Sequence, residues 1–305
     1  MAHTKYIFVI NPIAGGLDKT EIIEAVEDYA KEQGIDLIHY ETSGESDEEN
    51  IRKLYDEHQP ERILVTGGDG TVKMVAEALE NHDVTIGIIP GGSANGLSVD
   101  LDFPRELDEI IRIAFHNESQ EIDMVDINGH KSLHLSDIGL NAELIRNYEN
   151  SSIRGKLGYA IQALNTLTDD EAPFHARVEA DGEVVEANAK MIVIANSKKY
   201  GTGVTINPVG EMNDGKFEIV IIKNLNLVIF GKIVTGNIPI NSEDVEIISA
   251  SEASITTDVS VHFQVDGEYC NEITRLDIKI LPRQMKVAVP EKGASDANQD
   301  QVQNS

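Results

Sequence analysis

An α/β domain built on a mostly parallel sheet, followed by a β-rich antiparallel domain, is the fold this sequence predicts. Three observations carry it. From residue 5 to about 115, short β-branched runs alternate with amphipathic helical stretches. The strands of that half end in glycine-rich turns, above all Gly67-Gly68-Asp69-Gly70 and Gly91-Gly92-Ser93-Ala94-Asn95-Gly96. After about Ile122 the alternation stops, and strand-like runs recur between two-residue turn signals such as Asn128-Gly129 and Asp181-Gly182. A chain of 305 residues suits two domains. We place them at 1–122 and 123–290, with a polar, aperiodic and disordered tail over 291–305.

In the first domain, 5–10 reads as a strand and Asn11-Pro12-Ile13-Ala14-Gly15-Gly16 as a turn. A helix over about 19–33 stops at Gly34. A second strand covers 35–40 and a loop 42–45. A very acidic helix, 47–58, is closed by Pro60. The run 62–66 is the third strand, and after its glycines Val72, Val75, Ala76 and Leu79 fall at helical spacing. A fourth strand covers 84–89 and a helix 107–115. Short connections between alternating strands and helices imply parallel pairing. Ligands of such sheets sit at the carboxyl ends of the strands, where all the glycine turns lie. In the second domain a hairpin joins 123–127 to 131–135, and a helix covers 157–167. Strands follow at 174–180, 184–186, 190–195, 217–222, 245–249, 254–257, 261–265, 276–281 and 286–289.

Composition narrows the chemistry. Hydrophobic content of 41% suffices for real cores although aromatics are 5%. A formal net charge of −28 repels nucleic acid and anionic lipid headgroups. A polyanionic ligand would need local help from amides, a cation or placed bases. The single cysteine, Cys270, excludes an internal disulfide and a cysteine-based zinc cluster, as suits a reducing cytoplasm. The early apolar run, 6–10, is strand-sized, so no signal peptide is expected. The most apolar long window, 217–235, contains Lys223, Asn224, Asn226 and Lys232 and is not a spanning helix.

Glycines let a backbone approach a ligand with no Cβ in the way. The amides of such a turn, with a helix N-terminus, attract phosphate. Asp69, set among them, could meet a metal or a proton. Asn11 could bond a ligand or form an Asx turn before Pro12. Gly210 to Lys216 matches most of the Walker spacing. However, Phe217 stands where Ser or Thr must hold magnesium, and a strand follows, which excludes that motif. Asn213-Asp214-Gly215 reads alone as a plain turn. Asp266 and Glu268 put two carboxylates at one hairpin turn, which suits a general base and an orienting or metal-linked partner. His130 and His134 would lie roughly 13 Å apart on a strand and are taken as ordinary polar positions. Cys270 beside Tyr269 is expected to be a buried apolar residue.

Laid in order, these pieces resemble the diacylglycerol kinase/sphingosine kinase superfamily, most closely the soluble bacterial lipid kinases, over roughly residues 5–290. The signposts are Asn11-Pro12 with Gly15, Gly67-Gly68-Asp69-Gly70-Thr71 and Pro90-x-Gly92-Ser93-x-Asn95. Then come Gly139-Leu140-Asn141-Ala142, Gly158-Tyr159, Ala195-Asn196 with Tyr200-Gly201-x-Gly203, Asn213-Asp214-Gly215 and Asp266-Gly267-Glu268. The first glycine motif also occurs in NAD kinases and resembles one in phosphofructokinases, and a first domain of that kind is expected. The resemblance implies an ATP-dependent kinase of a lipid hydroxyl: diacylglycerol, a sphingoid base or a related lipid. It implies a nucleotide between the domains, held by Asn11, Thr42, Thr66, Gly67, Gly68, Gly70, Thr71, Gly92, Ser93 and Asn95, with Asp69 near the phosphates. Asp266 would be the general base, and Glu268 would orient a water and magnesium network. Asp214, with the backbone carbonyls of Glu211 and Lys216, would match a structural Mg2+ site. The 157–167 helix and the apolar 225–240 stretch would border a lipid cleft. The protein would be cytoplasmic and meet its lipid peripherally at a membrane surface, without nucleic acid and with a homodimer left open.

The sequence departs from the family where members carry Asp after the motif's Asn, here Gly96, and Asn-Glu after Thr71-x, here with Lys73 and Met74. Lys73 reads as solvated. Two rivals follow: an NAD kinase, which would lack the Pro-x-Gly-Ser-x-Asn turn, and a lipid- or nucleotide-binding regulator that has lost catalysis. Gly96 and Met74 favour the regulator, and the intact Asp266-Gly267-Glu268 opposes it.

Overall fold

The computed structural model describes residues 4–16, 18–93, 95–139, 172–199, 205–224 and 242–291. The chain divides into two compact units. One joins the residues up to Ile122 to those from Arg283 onward, and the other is Asp123–Pro282. The 157–167 helix, the 225–240 stretch, residues 140–142, Gly158-Tyr159, Tyr200-Gly201 with Gly203, and the tail from 292 lie outside the described residues.

In the first unit, β1 (Lys5–Ile10), β2 (Asp36–Glu41), β3 (Arg62–Gly67) and β4 (Thr85–Pro90) pair in parallel in the order β2-β1-β3-β4. β1 and β3 are largely apolar runs without alternation and are buried almost throughout, as helix-covered parallel strands must be. The helices are α1 (Thr20–Gln33), α2 (Asp47–His58), α3 (Asp69–Ala78), α4 (Gly96–Asp100) and α5 (Leu107–His116). α1 stops because Gly34 turns left-handed (φ 68°) and returns its N–H to Ala30 and Lys31. α1 and α5 bury Val26, Ala30, Ile110, Ala114 and Phe115 against Tyr6, Phe8, Ile10, Leu64 and Ile89. α4 was not foreseen: five residues are too few for a periodic signal.

The second unit is antiparallel. Its strands are β5 (Ser119–Ile127, starting in the first unit), β6 (His130–Ser132), β7 (Leu135–Gly139), β8 (Phe174–Ala180), β9 (Glu183–Ala189), β10 (Met191–Ala195), β11 (Phe217–Ile222), β12 (Val245–Ala250), β13 (Glu252–Val265) and β14 (Glu268–Ala288). They ladder in the order β12-β11-β10-β7-β13-β14, with β9 on β8 and β8 on β13. Asn128-Gly129, Asp181-Gly182 and Asp266-Gly267 all have positive φ at both residues, the geometry of a two-residue type I′ hairpin.

Three expectations change. The strands at 254–257 and 261–265 are one strand, β13. Its register shifts between Thr256 and Val261, where its neighbour changes from β8 to β7. A bulge breaks the alternation without ending the strand. The strands at 276–281 and 286–289 likewise belong to the single β14. Its residues Lys286 and Val287 pair in parallel with Thr85 and Ile86 of β4, so residues 283–290 go with the first unit. The strand at 131–135 splits into β6 and β7, because the amides of Leu133 and His134 turn aside to the Asp266 carboxylate. His134 is buried, and Cys270 and Lys73 are half-buried.

Candidate active site

At the carboxyl ends of β1, β3 and β4, three glycine turns pack backbone against backbone. The Gly91 N–H donates to Gly67 O at 2.8 Å, and the Asn11 N–H to Thr66 O at 2.9 Å. A Cβ on Gly92 would lie 2.4 Å from Gly68 Cα. One on Gly15, itself left-handed at φ 66°, would lie 3.0 Å from Gly91 O. One on Gly67 would meet the Thr71 side chain at 2.5 Å. These glycines are therefore needed by their neighbours. Gly70 is different: nothing lies within 4 Å of its absent Cβ. It occupies the first turn of α3, whose N-terminus opens there, so its bare backbone is available to a ligand.

Several side chains expected at the nucleotide bond inward. Asn11 Oδ1 accepts the Ile13 N–H, the Asx turn, while its Nδ2 donates to Thr71 Oγ1 at 3.0 Å. Thr66 is buried and gives its hydroxyl to Ile89 O at 3.0 Å. Asn95 folds over Gly92, accepting its N–H at 2.8 Å and donating to its carbonyl at 3.0 Å. These residues set the shape of the turns. Ser93 stays exposed. Thr42 is held by its N–H to Ile10 O, 2.8 Å. Its loop is pinned by Asp47: burial acts to raise that carboxyl, but donors from Tyr40, Ser43 and Gly44 outweigh burial and hold it below the usual carboxylate range.

Asp69 does not stand open to a phosphate. Its two oxygens accept the N–H groups of Gly96 (2.6 Å) and Leu97 (3.0 Å), the first residues of α4. The carboxylate locks the second glycine turn to the first, a use of the helix N-terminus that favours negative charge. Sequence reasoning missed Lys19. Only 3% exposed, it donates Nζ to Ala14 O at 2.6 Å, and its Cε would lie 3.0 Å from a Cβ on Gly91. It therefore places a cation among the glycine turns.

In the second unit, Asp266 and Gly267 form the left-handed pair of a two-residue turn (φ 49° and 90°) between β13 and β14. The Asp266 carboxylate accepts three donors: Ser132 Oγ (3.0 Å), Leu133 N–H (2.9 Å) and His134 N–H (2.9 Å). Glu268, two residues on, is exposed. Asp214 is also exposed. Its Oδ1 accepts the Lys216 N–H at 3.0 Å, and Gly215 N–H donates to Asp123 Oδ2 at 2.8 Å. Asp123, buried and also unforeseen, thus clamps the 211–216 loop. Below it, burial pushes the Glu218 carboxyl up, against donors from Asn207 and Ser249. Among the described residues no three His, Cys, Asp or Glu gather to hold a metal, and no helix is long and apolar enough to cross a membrane.

Residues 5–127 match the diacylglycerol kinase catalytic domain, and 136–289 match the YegS C-terminal NAD kinase beta sandwich-like domain. The chain is 27% identical over 304 residues to a Streptococcus pneumoniae protein provisionally named a lipid kinase, covering 93% of this chain and 97% of that one. It is 23% identical over 272 residues to the Bacillus subtilis diacylglycerol kinase, covering 86% and 88%. An uncharacterized Synechocystis protein is 28% identical over 240 residues, 75% of this chain, and the chain spans about half of that protein's length (54%). The crystal structure of a diacylglycerol kinase from Bacillus anthracis superposes with a TM-score of 0.71 at 19% identity, covering 95% of this chain and 98% of that one. The chain is thus a kinase with an α/β catalytic domain followed by a β-sandwich domain. It belongs to the diacylglycerol kinase family.

Proposed function

We propose that this kinase transfers the γ-phosphoryl group of ATP to the hydroxyl of a membrane lipid: diacylglycerol, a sphingoid base or a related alcohol. The observation that carries the reading is the backbone-to-backbone packing of three glycine turns at the strand ends. It leaves Gly70 and the N-terminus of α3 open for a phosphate. Phosphoryl transfer needs positioning and charge neutralisation more than covalent chemistry. Lys19, bonded to Ala14 O and packed at Gly91, adds a fixed positive charge to the glycine turns. Lys19→Met is expected to raise the KM for ATP about ten- to a hundred-fold, the worth of a charged hydrogen bond, and steady-state kinetics check it.

The acceptor's proton goes to a carboxylate of the Asp266-Gly267-Glu268 turn. Glu268 is the better base of the two. It is exposed, whereas Asp266 already accepts three hydrogen bonds and is occupied in holding the β6–β7 connection. Asp69 positions α4. The donors at 211–216 are hard oxygens: Asp214 and the carbonyls of Glu211 and Lys216. With one carboxylate, that set suits a Mg2+ that keeps several waters. A bound divalent cation would supply charge neutralisation, since an acidic chain without a Walker lysine has little of its own. Contact with the bilayer is peripheral.

The test is incubation of purified protein with labelled ATP, mixed lipid micelles and NAD. Labelled lipid is the expected product. Labelled NAD would turn the assignment to an NAD kinase. Tight ATP binding with neither product would mean a regulator.

A further inference from the structure

Gln264 and Asp137 are two polar residues where an apolar pair is the ordinary choice. They face each other across β13 and β7, 1% and 0% exposed, with Phe263, Val265 and Ile138 as neighbours along their strands. Burying an amide and a carboxylate is costly unless both are hydrogen-bonded. Gln264 Oε1 accepts the Gly267 N–H at 2.7 Å, and its Nε2 donates to Asp137 Oδ2. Chemistry fixes this orientation. A peptide N–H can only donate, so the amide oxygen must face Gly267, and the amino group is left facing an acceptor. Asp137 supplies that acceptor.

The Asp266-Gly267 turn is therefore gripped from two sides. Asp266 ties it to the chain at 132–134. Gln264, braced by Asp137, holds the peptide N–H of Gly267, the residue before Glu268. A left-handed two-residue turn joined to its strands only by its ends would leave that peptide free to rotate, and the Glu268 side chain, on the next residue, would move with it. We propose that Asp137 and Gln264 are positioning residues: a buried strut that sets the Gly267 peptide and so aims Glu268 at the acceptor hydroxyl. This rests on the lipid-kinase reading above.

Donor and acceptor can be exchanged across the pair, which gives the test. In Gln264→Glu, assayed at alkaline pH so that the pair no longer shares a proton that would rebuild the bond, two carboxylates face each other in a buried site. Turnover should fall about tenfold or more, since small misplacements of a reacting group are expensive, with the KM for ATP within about twofold. In the double variant Gln264→Glu/Asp137→Asn, the amide introduced at 137 donates to the carboxylate introduced at 264. That carboxylate still accepts from Gly267. Turnover should return to within about threefold of the parent, a coupling that independent sites would not show. Amide hydrogen exchange at Gly267 gives a readout separate from activity. It should quicken about tenfold in Gln264→Glu and recover in the double variant. A double variant no better than Gln264→Glu in turnover and in exchange, with thermal melts showing both folded, overturns the strut. If the parent phosphorylates no lipid, the functional reading fails while the exchange result still decides the strut.

Discussion

Glu268→Gln is expected to lower kcat for lipid phosphorylation by about 10²–10⁴-fold, the range a positioned general base contributes. The melting temperature and the KM for ATP should stay near the parent values. The side chain is exposed, so an amide of the same shape leaves packing intact and removes only the proton acceptor. Asp266→Asn should behave differently. Asp266 accepts from Ser132, Leu133 and His134. An amide can present its oxygen toward Ser132 and His134 only by turning its NH2 toward the Leu133 N–H, donor against donor. That costs about 1–3 kcal/mol of stability, read as a lower urea midpoint, with a smaller loss of turnover that follows the displaced turn. The comparison separates two roles that the motif alone confounds. A fully stable Asp266→Asn with turnover abolished, beside a nearly normal Glu268→Gln, would return the base to Asp266.

The α/β half was legible because its signals are local. Strands such as 5–10 and 62–67 are built on apolar runs, 6–10 and 63–65, without alternation, and Gly34 and Pro60 mark helix ends in plain view. The β-rich half was less so, because its bulges hide continuity. Residues 258–260 interrupt the alternation of β13 without ending it, and β14 reads as separate strands. The candidate site divides in the same way. The glycines and the Asp266-Gly267-Glu268 turn stand out as motifs. The directions of their side chains do not, since those depend on partners far along the chain: Thr66 on Ile89, Asp69 on Gly96 and Leu97, Asp266 on 132–134. Lys19 was missed because a lysine before a helix reads as solvated. Asp137 carried a usable signal, as the lone acid of its short strand, where charge is seldom placed without a task, whereas Asp123 shares its strand with Glu121 and Asp126 and does not stand out.

Gly92→Ala and Gly70→Ala should both lose ATP, for opposite physical reasons. At Gly92 the added Cβ would lie 2.4 Å from Gly68 Cα and 2.9 Å from Asn95 Oδ1. The obstacle is backbone, so the two turns must part. Overpacking of this kind costs about 1–3 kcal/mol, and turns displaced by even part of an ångström no longer converge their amides. ATP affinity should fall about a hundredfold together with stability. At Gly70 nothing lies within 4 Å, and the residue is in the first turn of α3. Alanine there should raise stability by about 0.5–1 kcal/mol, because glycine is the poorer helix former. If the phosphates pass over that bare backbone, ATP affinity falls although the protein becomes more stable. Calorimetric titration with ATP alongside thermal melts reads both quantities. Loss of binding with gain of stability at Gly70 marks a surface kept open for a ligand. Unchanged binding there would mean that the turns close on one another and the phosphates lie elsewhere.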